Sequence, residues 1–211
     1  MTSNTKIWDA VKNTDPHHVK SVQQRGGFSA IDAQYTIQRA TEQFGPVGQG
    51  WGYDVEYDYK QLPGDVCLIF AYVTVWHGSR ENKYGPIAGC NPLLDAKKRV
   101  DDDAAKKALT DALTKALSHL GFSADVFLGM YDDNKYVQAM RVKYTADKEA
   151  DSKDAADGII IGVRDTSTLE EYEAYKNSVI GEIAALPQGF ASKVQQAFAE
   201  HKKTIQPQAA E

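Results

Sequence analysis

The sequence has few cysteines and no long apolar run, and each of these absences excludes a class of protein. Its two cysteines, Cys67 and Cys90, lack the spacing of metal ligands, so we expect two free, buried thiols rather than a zinc site. The longest apolar stretch, residues 66–76, is too short to cross a bilayer as a helix. The residues around Asp9 and Lys12 are polar, so we expect no secretory signal and a cytoplasmic location.

Motifs for nucleotide binding and catalysis are missing as well. The sequence has no Gly-Lys-Ser/Thr phosphate loop, and the glycines around Trp51 follow a predicted helix rather than a strand, which argues against a dinucleotide site. The five histidines are scattered, and no serine lies in a nucleophile elbow. We therefore expect no metal, no cofactor and no enzyme. A hydrolase whose acid, base and nucleophile converge from distant positions remains an alternative.

Charge is unevenly distributed, although the total is only −5. Residues 1–145 contain 17 Lys/Arg and 17 Asp/Glu, whereas residues 146–211 contain 7 and 12. From this and from composition we predict a core domain at 1–145, a flexible acidic linker at 146–167 and a helical appendage at 168–211. Because the core is neutral, any contact with a polyanion must depend on local basic clusters.

Hydrophobic periodicity predicts an α+β fold. A short helix at 7–12 and a helix at 33–44, capped by Asp32, come first. Period-two alternation then predicts a strand at 55–59, and the run at 66–76 is rich in β-branched and aromatic residues, as a central strand is. A turn at residues 77–79 leads to a third strand at 84–90. A strong helix over 101–121 has three aspartates at its N-terminal end and Gly121 at its C-terminal end. We predict a β-β-β-α core, in which an antiparallel three-stranded meander packs on the long helix, followed by appendage helices at 169–186 and 190–202.

Basic residues cluster at the predicted long helix, either just before it or on its polar side: Lys97, Lys98, Arg99, Lys106, Lys107 and Lys115. Two interpretations are open at this point. The cluster is either a surface for nucleic-acid phosphates or a solvated helix face whose cations pair with Asp103 and Asp111. Most tyrosines and tryptophans are expected to pack in the core, which leaves few to stack on bases.

Three blocks of sequence add a more specific indication. The first is Arg25-Gly-Gly, followed by residues 35–45 and by Gly50-Trp51; the second is the predicted meander. The third is residues 108–121, with Asp-Asp-Asn-Lys-Tyr at 132–136 after it. In order and spacing across residues 22–140, these blocks resemble the Rad-fifty-two family of single-strand annealing proteins, most closely its phage recombinase branch.

The resemblance implies a subunit of an oligomeric ring that binds single-stranded DNA and anneals complementary strands without ATP, in homologous recombination and DNA repair. The alternative is an oligomeric single-stranded DNA- or RNA-binding protein that protects strands without annealing them. Expected partners are single-stranded DNA, further copies of the chain, and a host or phage replication or recombination protein bound by the C-terminal tail. The implied location is the cytoplasm of a bacterial host, as a phage or prophage protein.

The resemblance also implies that basic side chains on the first helix and on the outward face of the long helix contact phosphates. Lys115 keeps such a charge, whereas Tyr35, Thr114 and Ser118 stand where other members carry basic residues. Residues from other positions are then expected to substitute. The predicted DNA-binding set is Arg25, Tyr35, Arg39, Lys97, Lys98, Arg99, Lys107, Thr114, Lys115 and Ser118.

Overall fold

The computed structural model describes residues 4–22, 27–64, 66–95 and 97–206, and the chain divides into two units, Met1–Met140 and Arg141–Glu211. The first unit contains a three-stranded antiparallel sheet packed on a long helix, and the second is helical. The predicted α+β class with a β-β-β-α core, a short N-terminal helix and C-terminal helices is confirmed.

The first unit contains, in chain order, α1 (Lys6–Val11), β1 (Val19–Val22), β2 (Phe28–Ile31), α2 (Ala33–Phe44), β3 (Trp51–Leu62), β4 (Val66–His77), β5 (Ser79–Pro92), α3 (Ala104–Ser118) and α4 (Ala124–Phe127). Helix α5 (Asn134–Arg164) contains the boundary between the units, and the second unit adds α6 (Leu169–Ser178), α7 (Ile180–Ala185) and α8 (Gln188–Ile205). Short 3-10 turns lie at Pro16–His18 and Met130–Asp132.

Helix α2 has the predicted bounds, because both of its ends are specified locally. The Asp32 carboxylate accepts a hydrogen bond from the Gln34 N–H, as an N-cap does. At the other end Gly45 adopts a φ of 97°, which favours glycine. No sequence pattern predicts the antiparallel pair that β1 and β2 form just before this helix.

Strand β4 lies between β3 and β5, and its alternating residues define the two faces of the sheet. The side chains that it buries completely on one face are Ile69, Ala71, Val73 and Val75. Val73 pairs with Val55 of β3 and with Ile87 of β5, so all three lie on the face that α3 covers. Strand β5 is longer than the predicted third strand at 84–90, since it begins at Ser79.

Helix α3 packs on this face through a stripe of alanines at four-residue intervals: Ala104, Ala108, Ala112 and Ala116, all buried. Because these side chains are small, the helix approaches β5 closely. A Cβ atom added at Gly89 would lie 2.4 Å from the Ala108 carbonyl oxygen. The Tyr84 hydroxyl of β5 also donates to the Ala116 carbonyl oxygen at 2.7 Å. These contacts fix the rotation of α3 and leave its opposite side facing solvent.

The helix is shorter than the predicted 101–121. Asp103 occupies the N-cap position but makes no side-chain cap hydrogen bond, while Asp101 accepts hydrogen bonds from Lys107 and from the Asp103 N–H. After Ser118 the chain turns, and Gly121 adopts a φ of 100°. The aspartates still lie at the N-terminal end of α3, where negative charge is favourable.

A buried aspartate joins the N-terminal segment to the end of the first unit. Asp125 of α4 is 2% exposed, and its carboxylate accepts hydrogen bonds from the Thr14 hydroxyl at 2.6 Å and from the Tyr136 hydroxyl at 2.9 Å. The Tyr131 hydroxyl donates to the Thr14 carbonyl oxygen. Burial, together with the charge of Asp125, raises the pKa of both tyrosines, so they remain protonated donors.

The second unit has its own hydrophobic core, which corrects one prediction. Residues 146–164 lie in α5 rather than in a flexible linker. Alanine and lysine favour helix, and Ala156, Ile159 and Val163 pack together with side chains of α6 and α8. The helix predicted at 169–186 is interrupted at Val179, which separates α6 from α7.

The predicted burial of both cysteines is wrong. Cys67 is half-buried. Cys90 is exposed because its neighbour Gly89 is the residue of β5 that lies buried against α3. Within the described residues, no helix has both the length and the apolar character needed to cross a bilayer. The same residues place no group of three or more His, Cys, Asp or Glu side chains where a metal ion could bind.

We predict that Gly89→Ala lowers the free energy of unfolding by about 1–3 kcal/mol, because the new methyl group must displace the backbone of α3. Urea unfolding followed by tryptophan fluorescence measures this, since Trp8, Trp51 and Trp76 all lie in the first unit. The control Ala88→Ser adds one atom on the exposed side of β5 and should change stability by less than about 0.5 kcal/mol. Equal stability of the two variants would contradict the close approach.

Candidate functional site

The solvent-facing side of α3 forms one wall of an open groove of about 590 Å³. Strand β2, the first residue of α2 and helix α4 form the rest of its lining. We call this feature the α3 groove, and its lining residues are Phe28, Ser29, Ala30, Ile31, Ala33, Lys106, Lys107, Thr110, Asp111, Thr114, Val126 and Phe127.

Helical spacing explains which α3 residues reach the groove. Residues three and four positions apart share a helix face, so Lys106, Thr110 and Thr114 follow one another along the wall, with Lys107 and Asp111 beside them. These positions lie opposite the alanine stripe that packs on the sheet. The packing of α3 therefore determines which side chains line the groove.

Both groove lysines are already paired with carboxylates. The Lys106 ammonium group lies 2.9 Å from Asp103, and that of Lys107 lies 2.7 Å from Asp101. The hydrogen bond from Lys107 lowers the pKa of Asp101, and the same bond raises the pKa of Lys107. The Lys106–Asp103 pair is exposed and therefore weak, so a phosphate oxygen can take the place of its carboxylate. Asp101 is only 13% exposed, so a phosphate at Lys107 competes with a better protected carboxylate.

The hydroxyl groups on this side of α3 donate to the helix backbone. Thr110 donates to the Lys106 carbonyl oxygen at 2.8 Å, Thr114 to that of Thr110, and Ser118 to that of Lys115 at 2.7 Å. Their protons are directed at the helix, so these side chains offer a ligand mainly lone pairs. Of the two predicted hydroxyl sites, Thr114 lines the groove, whereas Ser118 is not among its lining residues.

The basic residues that precede α3 form a turn built around Asp95. Its carboxylate accepts hydrogen bonds from the Lys97 and Arg99 backbone N–H groups and from the Arg99 guanidinium group, at 2.7 to 3.0 Å. These bonds lower the pKa of Asp95. Lys97 and Lys98 are exposed, and Lys98 has a φ of 59°. None of these three basic residues lines the α3 groove as the structure describes it.

Lys115 is the predicted phosphate contact on the polar side of the long helix. Its ammonium group pairs with Asp111 at 2.8 Å and it is about half exposed, with side-chain exposure of 49%. Lys115 is outside the groove lining, although its partner Asp111 is part of it. Of the predicted DNA-binding set, the groove therefore contains only Lys107 and Thr114 among the residues that the structure describes.

Tyr35 does not present a surface to a ligand, and its prediction as a DNA contact is wrong. It is 7% exposed, its ring stacks on His18 with centroids 4.2 Å apart, and its hydroxyl accepts a hydrogen bond from the Asp15 N–H. An aromatic ring at this position of α2 is a packing residue that holds the segment before β1.

Arg39 joins two helices, and its predicted phosphate contact stays a prediction. Its guanidinium group donates to the Ala10 carbonyl oxygen at 3.2 Å and to the Glu42 carboxylate at 2.6 Å, which ties α2 to α1. The side chain is 28% exposed. Arg25, the remaining predicted residue, lies outside the described residues.

Sequence reasoning missed the aromatic side of the groove. Phe28 and Phe127 line it and are about half exposed. No local signal could have brought them together, since they are 99 positions apart and belong to short elements of four residues each. By contrast, helical spacing predicts that the lysines and threonines of α3, including Lys106, share one side of the helix.

Comparison of the chain with models of known protein families and with curated protein sequences finds no match.

We predict that Arg39→Ala lowers the free energy of unfolding by about 1–2 kcal/mol, since it removes hydrogen bonds from a charged donor that join two helices. Lys115→Ala is the matched control, because it also removes one cation with one surface ion pair and should change stability by less than about 0.5 kcal/mol. Urea unfolding followed by tryptophan fluorescence compares them. If Arg39→Ala is as stable as Lys115→Ala, the assignment of Arg39 to packing is wrong.

Proposed function

We propose that this chain binds single-stranded DNA and anneals complementary strands without ATP, as a subunit of an oligomeric ring, and that it acts without enzymatic chemistry. The observation that carries the proposal is the α3 groove, which is lined by Lys106 and Lys107 of α3 and by the exposed aromatic residues Phe28 and Phe127. Cations suit the phosphates of a single strand, and apolar rings suit its bases.

Annealing needs no covalent step, so the requirements on such a groove are modest. The surface must reduce the repulsion between two strands and must leave base edges accessible for pairing. An open groove with surface ion pairs meets both requirements, since phosphates exchange with carboxylates at the lysines and one side stays open to solvent.

The charge of α3 and of the turn before it supports weak binding by each subunit. Residues 95–118 contain six Lys/Arg and five Asp, so the net positive charge is small. Weak sites repeated along one strand add up through multivalency, because each further contact is made within the same complex. The proposed ring would supply that repetition.

The sheet supports assembly of several copies. Strands β3 and β5 are its two edges, and they are 12 and 14 residues long. Long exposed edges invite pairing with another chain, and closure of a ring removes them. Edge-to-edge pairing of β3 with β5 of the next copy is therefore our proposal for the subunit contact.

The second unit supports a role other than DNA binding. Residues 146–211 contain 7 Lys/Arg and 12 Asp/Glu, and such a surface repels phosphate. We propose that it binds a host or phage replication or recombination protein, in the cytoplasm of the host cell.

We predict that the protein speeds the pairing of two complementary oligonucleotides in the absence of ATP. Quenching of a fluorophore on one strand by a quencher on the other measures the rate, and electron microscopy of the same sample should show rings. Binding of both strands without faster pairing would replace the proposal with a strand-protecting function. Absence of binding would contradict both annealing and strand protection.

We also predict that Lys106→Ala with Lys107→Ala weakens binding and reduces the salt dependence. The log-log slope should fall by about 0.7 for each phosphate that the protein no longer neutralises. Sequence preference should stay the same, because backbone contacts carry no base information. The control Lys153→Ala with Lys203→Ala removes two exposed charges from the second unit and should leave the slope unchanged. Equal slopes for the two double variants would show that the phosphates do not bind at Lys106 and Lys107.

A further inference from the structure

Two exposed aromatic rings line the same groove as the lysines. Phe28 is 50% exposed and Phe127 is 51% exposed. A single exposed apolar side chain is ordinary in a folded protein, but two large exposed rings that line one groove favour a binding surface. Together with Lys106 and Lys107, these rings give the groove both apolar and cationic side chains.

The position of Phe127 is set by buried hydrogen bonds. It follows Val126, which is 8% exposed, and Asp125, whose carboxylate is held by Thr14 and Tyr136 at 2.6 and 2.9 Å. Because these two residues anchor α4, its last residue, Phe127, is held beside the groove.

Electrostatic attraction alone contributes little to the binding of a strand in this groove. A phosphate that approaches Lys106 or Lys107 must displace Asp103 or Asp101, and Asp111 also lines the groove. The gain from each phosphate contact is therefore partly offset by the loss of an existing ion pair. Affinity for a single strand needs a second source, and the faces of its bases can supply it through aromatic stacking.

We propose that Phe28 and Phe127 stack on bases of a single strand whose phosphates face Lys106 and Lys107. This inference rests on the proposed single-strand binding and assigns the base contacts of that site. Every base has a flat aromatic face, so the contact tolerates any sequence, as annealing requires. It also predicts that the protein distinguishes a strand with bases from a strand of the same charge without them.

The test compares two probes of equal length and phosphate number, an oligothymidylate and a fully abasic strand. Fluorescence anisotropy measures the binding of each by the full chain and by the Phe28→Leu, Phe127→Leu double variant. Leucine keeps an apolar side chain of similar size but cannot stack. We expect about tenfold or greater weakening for the oligothymidylate, and no change for the abasic strand.

Two further variants make the result specific. Phe127→Trp keeps an aromatic ring, so in the Phe28→Leu background it should restore much of the affinity for the oligothymidylate. Leu128→Ala removes a neighbouring side chain that is 70% exposed and is not among the described groove-lining residues, so it should bind both probes like the parent chain. Circular dichroism and light scattering confirm that fold and oligomer size are unchanged.

Each outcome supports or overturns the inference. Selective loss of oligothymidylate binding, with rescue by tryptophan, supports it. If the parent chain binds both probes equally, or if the double variant loses affinity for both, the phosphate contacts stand and the stacking assignment fails alone. If the parent chain binds neither probe, the proposed function and the stacking assignment both fail. Unchanged binding of both probes by the double variant overturns the stacking assignment, and a protein partner would then be the expected ligand of these rings.

Discussion

The close packing of α3 on the sheet is the contact on which the rest of the first unit depends. Its alanines at 104, 108, 112 and 116 let the helix backbone come within reach of Gly89, and the Tyr84 hydroxyl holds the helix at Ala116. An interface between small residues has little room for rotation, because any turn of the helix would force a side chain into the strand. The opposite side of α3, with its lysines and threonines, is therefore held towards solvent.

A second constraint forms the other wall of the groove. Asp125 is buried with hydrogen bonds from Thr14 and Tyr136, and this contact joins positions 111 residues apart in the chain. A buried carboxylate without such donors would be costly, so the N-terminal segment and α4 are coupled. The coupling holds α4 in place and thereby positions Phe127, which lines the groove together with the lysines. The chemistry of the groove thus comes from two separate parts of the fold.

These two constraints differ in how far the sequence predicts them. Asp32 and Gly45 bound α2, the β-branched and aromatic run of β4 identifies the central strand, and the helical spacing of apolar residues identifies α3, because each signal is local. Composition alone does not distinguish a linker from the exposed part of a helix, which is why it predicts a flexible segment where α5 continues through 146–164. Tyr35 and Arg39 illustrate a second limit. Their roles depend on His18, Asp15 and Ala10, which no spacing in the sequence links to them.

The central claim is that a single strand lies in the α3 groove, and photo-crosslinking tests it most directly. An oligonucleotide with iodouracil in place of thymine is bound to the full chain, irradiated and digested, and the modified peptides are identified by mass spectrometry. We expect crosslinks at Phe28, at Phe127 and in peptides that contain residues 106–114. Crosslinks confined to the second unit, or to Phe70 and Tyr72 on the sheet face away from α3, would contradict this account.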